Sequence, residues 1–127
     1  MLIEGALRDR GPDRAVTQVE DGVAALERLR DPAHGRPDLI VMDLNMPRMS
    51  GQELLAILKF DEELKVIPVV VLTTSNAPSD VVAAYERHAN AYITKPVDLD
   101  GFVRAVRSID AFFLDTAVKV PRLEGDR

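Results

Sequence analysis

The chain has 127 residues, with 16 Lys and Arg against 21 Asp and Glu for a net charge of −5, a 46% hydrophobic fraction and no cysteine. That length bounds one compact domain with apolar residues enough for a core, and it excludes a disordered chain, a disulfide framework and any site built on thiolates. The acidic balance argues against nucleic acid as the main ligand, and no apolar run approaches the roughly 18 residues of a membrane span, so a soluble, cytoplasmic domain is expected.

Leu2, Ile3, Ala6 and Leu7 recur at helical spacing, which predicts a helix over 2–10 that Gly11-Pro12 stops. Residues 15–19 read as a short strand, with Thr17 and Gln18 among apolar neighbours. Asp21-Gly22 opens a helix with Val23, Leu26 and Leu29 on one face, ending near Arg30, and a Pro/Gly loop containing His34 follows. Leu39-Ile40-Val41-Met42 and Val69-Val70-Val71-Leu72 are continuous apolar runs, each followed by a polar residue, Asp43 and Thr73. Such runs suit strands covered on both faces of a parallel sheet.

Between these strands, Ser50 and Glu53 have the spacing of a capping box, and Leu54, Leu55, Ile57 and Leu58 supply a buried helix side. Pro78 suits the first turn of a helix carrying Val81, Val82 and Tyr85 to about Arg87. Ala91-Tyr92-Ile93-Thr94 is a third strand of this kind, closed by Lys95-Pro96. Asp98 is placed to cap a last helix whose Phe102, Val106, Ile109 and Phe113 share a face. Residues 1–118 then form one domain and 119–127 a flexible tail. Regular alternation of helices and strands predicts an α/β architecture, a parallel sheet with right-handed crossovers.

In open parallel sheets ligands bind beyond the carboxyl ends of the strands. There the sequence places an acid (Asp43), a hydroxyl (Thr73) and an amine (Lys95) on separate strands. A carboxylate can attack phosphorus and carry an acyl phosphate, while a hydroxyl and an ammonium hold the transferred oxygens. Taken singly, each residue has a plainer reading: a turn-capping acid, a strand-ending threonine, a solvated lysine. Their co-occurrence favours phosphoryl transfer.

Asp43-Leu44-Asn45-Met46-Pro47-Arg48-Met49-Ser50-Gly51 resembles the phosphoacceptor loop of bacterial response-regulator receiver domains. Thr73 and Tyr92-Ile93-Thr94-Lys95-Pro96 match that family's other motifs in order, and the resemblance runs from Leu2 to Leu114. Within the family the chain looks most like stand-alone receivers partnering phytochrome-type histidine kinases. The resemblance implies a flavodoxin-like doubly wound fold and phosphorylation of Asp43 by a histidine kinase. It also implies Mg²⁺ on Asp43 and the backbone carbonyl of Asn45, with Thr73 and Lys95 contacting the phosphoryl group. Tyr92 would be an aromatic switch beside Thr73. Asn45 and Ser75 would influence phosphoryl lifetime, and the Lys95–Pro96 bond would be cis. A homodimer is expected, with Ala111-Phe112-Phe113-Leu114 contributing to its contact.

The departure from the family is at the front. Its members begin with a central strand ending in paired acids that bind Mg²⁺, whereas the helix over 2–10 matches the element after that strand. The expectation is therefore a sheet lacking its first, central strand, with the acidic pair absent and a gene start upstream of Met1. Mg²⁺, which wants octahedral oxygen ligation, would then be weakly held. The rival reading is a pseudo-receiver, an interaction module of the same fold that takes no phosphate. An aspartate-nucleophile hydrolase is disfavoured, because Asn45 stands where a second carboxylate would serve as acid and base, and the chain is not expected to be an enzyme.

Overall fold

The computed structural model describes residues 21–121 apart from 34, 47 and 119. The helix expected over 2–10, the strand over 15–19, His34 and most of the tail lie outside the described residues. The elements are α1 (Gly22–Arg30), β1 (Ile40–Met42), α2 (Gly51–Phe60), β2 (Val69–Thr73), α3 (Pro78–Glu86), β3 (Ala91–Thr94) and α4 (Leu99–Asp110). The last helix runs on into a π-helical turn, Ala111–Thr116.

Each start has a local cause. The Asp21 side chain accepts the Ala24 amide at 2.7 Å, Ser50 accepts the Glu53 amide at 3.2 Å, and Asp98 accepts the Gly101 amide. Each thereby satisfies a helical N–H that has no partner within its helix. In the capping box, Glu53 meets the Ser50 hydroxyl rather than closing back on its amide. Helix α3 has Pro78 in its first turn and no side-chain cap. It stops at His88, which is exposed and adopts φ 70° while the Ala89 amide reaches back to the Ala84 carbonyl.

The three described strands are all parallel, in the order β1-β2-β3. Met42 pairs with Val71, and Val71 with Tyr92, so these side chains share one face of the sheet. That face packs on Leu26 of α1, on Leu54, Leu55 and Leu58 of α2, and on Ala84 of α3. The opposite face carries Val41, Leu72 and Ile93 against Phe102, Val103 and Val106 of α4. Helices thus cover both sides, and all five residues of β2 are buried, which is why that strand reads as an unbroken apolar run.

Two expectations are corrected. The Lys95–Pro96 bond, expected to be cis, is trans, as is every other described peptide bond. Trans is the favoured isomer before proline by about 0.5–1 kcal/mol, and in this form the Lys95 amide already reaches the Thr73 carbonyl at 2.7 Å. The apolar stripe of the last helix also ends early. Phe102, Val106 and Ile109 are buried, but the π-helical turn, with the Ala117 amide on the Phe112 carbonyl, widens the winding. Phe113 is left half-buried and Phe112 exposed, their rings edge to face at 5.1 Å.

Helix α2 begins against the end of β1. The Gly51 amide donates to the Leu44 carbonyl at 2.8 Å. A Cβ at Gly51 would lie 2.5 Å from the Asp43 carbonyl oxygen and 2.6 Å from the Leu44 Cα, both backbone atoms that cannot swing aside. Gly51→Ala is therefore expected to lower unfolding free energy by about 1–3 kcal/mol, as overpacked sites do, read from the midpoint of a urea titration. An unchanged midpoint would contradict the contact.

Candidate functional site

The strand ends converge as the sheet requires. Asp43 follows β1, Thr73 ends β2, and Lys95 follows β3. Lys95 Nζ donates to Asp43 Oδ2 at 2.8 Å, and Thr73 Oγ1 donates to Asp43 Oδ1 at 2.9 Å. The Asn45 amide adds a third donor to Oδ1 at 3.1 Å. Asp43 and Lys95 keep 25% and 19% of their side-chain surface, whereas Thr73 is wholly buried. The carboxylate is thus reachable from solvent while its partners are fixed from beneath.

The electrostatics follow from these contacts. Burial raises the Asp43 pKa, but hydrogen bonds from Lys95, the Asn45 amide and Thr73, with the Lys95 charge, together bring it below the ordinary 3.8. The carboxylate is therefore held ionised, the form that can act as a nucleophile.

Tyr92 is half-buried, and its hydroxyl donates to the Ser75 carbonyl at 2.9 Å. The Ser75 amide in turn donates to Thr73 Oγ1 at 3.4 Å. Tyr92 and Thr73 are therefore linked through one residue of the loop after β2.

Several contacts beyond the three strand-end side chains carried no signal in the sequence. Arg48, two residues before the Ser50 cap, adopts φ 65°, a backbone region that side chains disfavour. Its guanidinium reaches both oxygens of Asp21, at 3.0 and 2.9 Å. The Ala24 amide first, and those bonds with it, hold the Asp21 carboxyl below its ordinary value. The loop after Asp43 is thus tied to the start of α1. Lys59 donates to the Lys65 and Ile67 carbonyls and to Asn90 Oδ1, and burial lowers its pKa. Asp61 caps the turn that follows by accepting the Glu63 and Leu64 amides.

A divalent cation at Asp43 is not fully provided for by these residues. Among the described residues no group of three or more His, Asp or Glu side chains converges. One carboxylate and the Asn45 carbonyl fall short of the oxygen shell that Mg²⁺ demands.

The profile of the response regulator receiver domain matches residues 1–107. The chain belongs to the response regulator receiver family. Response regulator Rcp1 of Synechocystis sp. is 40% identical over 119 residues, which cover 91% of this chain and 81% of Rcp1. The crystal structure of the phosphorylated cyanobacterial phytochrome response regulator RcpA superposes with a TM-score of 0.89 at 42% identity, covering 94% of this chain and 89% of RcpA. The Mn²⁺-bound form of Rcp1 superposes with a TM-score of 0.88 at 39% identity, covering 94% and 89% of the two chains. This receiver is accordingly a response-regulator module of two-component signalling. Receiver domains are in general signalling modules.

A lowered carboxyl pKa stabilises the fold above the unfolded value, and that stability is lost as pH falls through the folded value. For Asp43 the window lies below 3.8. Replacing Lys95 by Met removes an ammonium that lowers the pKa, so carboxyl NMR of Lys95→Met is expected to show Asp43 titrating at higher pH than in the wild type. The Asp43 contribution to the acid loss of stability shrinks with it, because the gap between folded and unfolded values narrows. An unmoved titration would mean that the ion pair does not hold the carboxylate.

Proposed function

We propose that Asp43 of this receiver takes the phosphoryl group from a histidine kinase of the phytochrome-associated kind. The observation that carries the reading is the donor set on one solvent-reachable carboxylate: an ammonium at 2.8 Å, a hydroxyl at 2.9 Å and an amide at 3.1 Å, drawn from three strand ends. An Asp43 oxygen attacks phosphorus, the P–N bond of the phosphohistidine breaks, and the imidazole nitrogen keeps the electron pair. The Lys95 ammonium and the Thr73 hydroxyl then turn from the carboxylate to the new phosphoryl oxygens, where donors offset the added negative charge. Tyr92 reports the change through Ser75.

In this reading Mg²⁺ is the cofactor, on Asp43 and the Asn45 carbonyl, and the described residues complete only part of its shell. The receiver domain spans 1–118, with 119–127 as a tail whose Val120 and Pro121 carbonyls accept from Arg36. A cytoplasmic setting agrees with the finding that no described helix is long and apolar enough to cross a membrane. The net charge of −5 supports a protein partner over nucleic acid. Exposed Phe112 beside Phe113 supports a homodimer contact that includes Ala111-Phe112-Phe113-Leu114. A pseudo-receiver is the second reading, favoured by one observation, the lack of a convergent acidic group among the described residues.

Treating the protein with acetyl phosphate, with and without Mg²⁺, and reading intact mass separates the two. The expected outcome is one added phosphoryl group in the wild type, none in Asp43→Asn, and uptake slowed by on the order of tenfold to a thousandfold in Thr73→Ala or Lys95→Ala, the range for removing one preorganised donor. A wild type that gains no mass with either acetyl phosphate or a phosphorylated kinase favours the pseudo-receiver.

A further inference from the structure

The loop between β2 and α3 is held by more than its own turn. Ser75 is half-buried and uses every polar atom it has. Its amide donates to Thr73 Oγ1 at 3.4 Å, and its carbonyl accepts from Tyr92 at 2.9 Å. Its hydroxyl accepts from the Ala77 amide at 3.4 Å and donates to Asp80 Oδ2. Asp80 is in the first turn of α3, where the helix dipole favours a carboxylate. It is itself anchored: the Asp80 amide donates to the Ala77 carbonyl at 3.0 Å, and the Asp80 carbonyl accepts from Gln52 Nε2 of α2 at 3.2 Å. A continuous chain of hydrogen bonds therefore runs from α2 through Asp80 and Ser75 to Thr73 and Asp43.

We propose that Asp80 is a positioning residue for phosphoryl transfer to Asp43, acting through its side-chain bond to the Ser75 hydroxyl. The inference rests on the reading of Asp43 as phosphoacceptor. Thr73 has one hydroxyl proton and needs it aimed at the carboxylate. The Ser75 amide occupies a lone pair of Thr73 Oγ1, which leaves that proton for Asp43 Oδ1. The Ser75 amide stays in place only while the loop does, and the carboxylate of Asp80 is the charged end of the loop's strongest bond, since hydrogen bonds to ionised groups exceed those between neutral ones. Releasing it lets the loop sample positions in which Thr73 is not aligned, and misplacing a donor slows the chemical step. The contact also ties the resting loop to helix α3, so the segment over which Tyr92 reads the site starts from a single arrangement.

A plainer role for Asp80 is that of a first-turn acid, which stabilises α3 and does nothing else. The two roles differ in what Ser75 contributes. Phosphoryl uptake from acetyl phosphate with Mg²⁺ is followed by intact mass for the wild type, Ser75→Ala, Asp80→Ala, the double variant and Asp80→Asn. Hydrogen exchange of the 74–77 amides is measured on the same proteins without phosphodonor. The expected result is uptake slowed roughly tenfold in either alanine variant, the scale of one charge-assisted hydrogen bond. The double variant is then no slower than the slower single, because both remove one shared interaction. Asp80→Asn, which still offers an oxygen to Ser75 but no charge, recovers part of the rate, and exchange at 74–77 quickens most in the alanine variants. A Ser75→Ala protein with wild-type uptake and exchange overturns the proposal in favour of the helix-acid role, as do additive effects in the double variant. Should the wild type take up no phosphoryl group, the reading of Asp43 is what fails, and the Asp80–Ser75 bond is then judged on exchange alone, where unchanged protection at 74–77 refutes it.

Discussion

The structure turns on a carboxylate kept charged at the rim of an apolar sheet. Asp43 is partly withdrawn from water, which by itself would favour its neutral form. It remains an anion because Lys95 and Thr73, from two other strand ends, each put a donor on a different oxygen. Neither donor is near Asp43 in the chain. The parallel pairing of β1, β2 and β3 brings the three together, so the chemistry of the site is a consequence of strand register.

That register rests on the core beneath. Val69 and Val71 face α2, while Leu72 faces α4, and each is wholly buried. A slip of one residue would carry these side chains to the opposite face and take Thr73 off Asp43. Close packing at the front of the site has the same effect. Gly51 meets the Asp43 backbone with no space for a Cβ, and Gly22 meets Met49 at 2.7 Å from where its own Cβ would lie. Together with the Arg48–Asp21 pair, these contacts hold the loop after Asp43 between α1 and α2. Asp43 thus stands on a rigid base, whereas the loop that carries Ser75 hangs from a few hydrogen bonds. That division suits a module that must accept a group at one point and register it at another.

The alternation of elements was legible in the sequence because its signals are local. Asp21, Ser50 and Asp98 cap the helices they were expected to cap, since an oxygen at that position finds a free amide within three residues. The strand runs were legible because burial on both faces leaves no polar alternation. Asp43, Thr73 and Lys95 could be singled out as strand-end residues with complementary chemistry. Arg48 in a left-handed conformation, Lys59 on three neutral oxygens and Asp80 gripping Ser75 could not, because their partners are set by how separate segments meet. The turn after Asp110 escaped for a related reason. An apolar stripe at helical spacing predicts a continuing α-helix, and nothing local marks the change to wider winding at Ala111.

Sequence alone determined the fold class, the order of the described elements and which side chains stand at the three strand ends, because propensity, capping and hydrophobic period act within a few residues. Tertiary structure decided which oxygen of Asp43 each donor takes, that Lys95 reaches it from a trans peptide bond, and that Tyr92 meets Thr73 by way of Ser75. Those outcomes depend on distances of a few tenths of an ångström between strands and helices far apart in the chain. They are fixed when the sheet pairs and its two faces are packed.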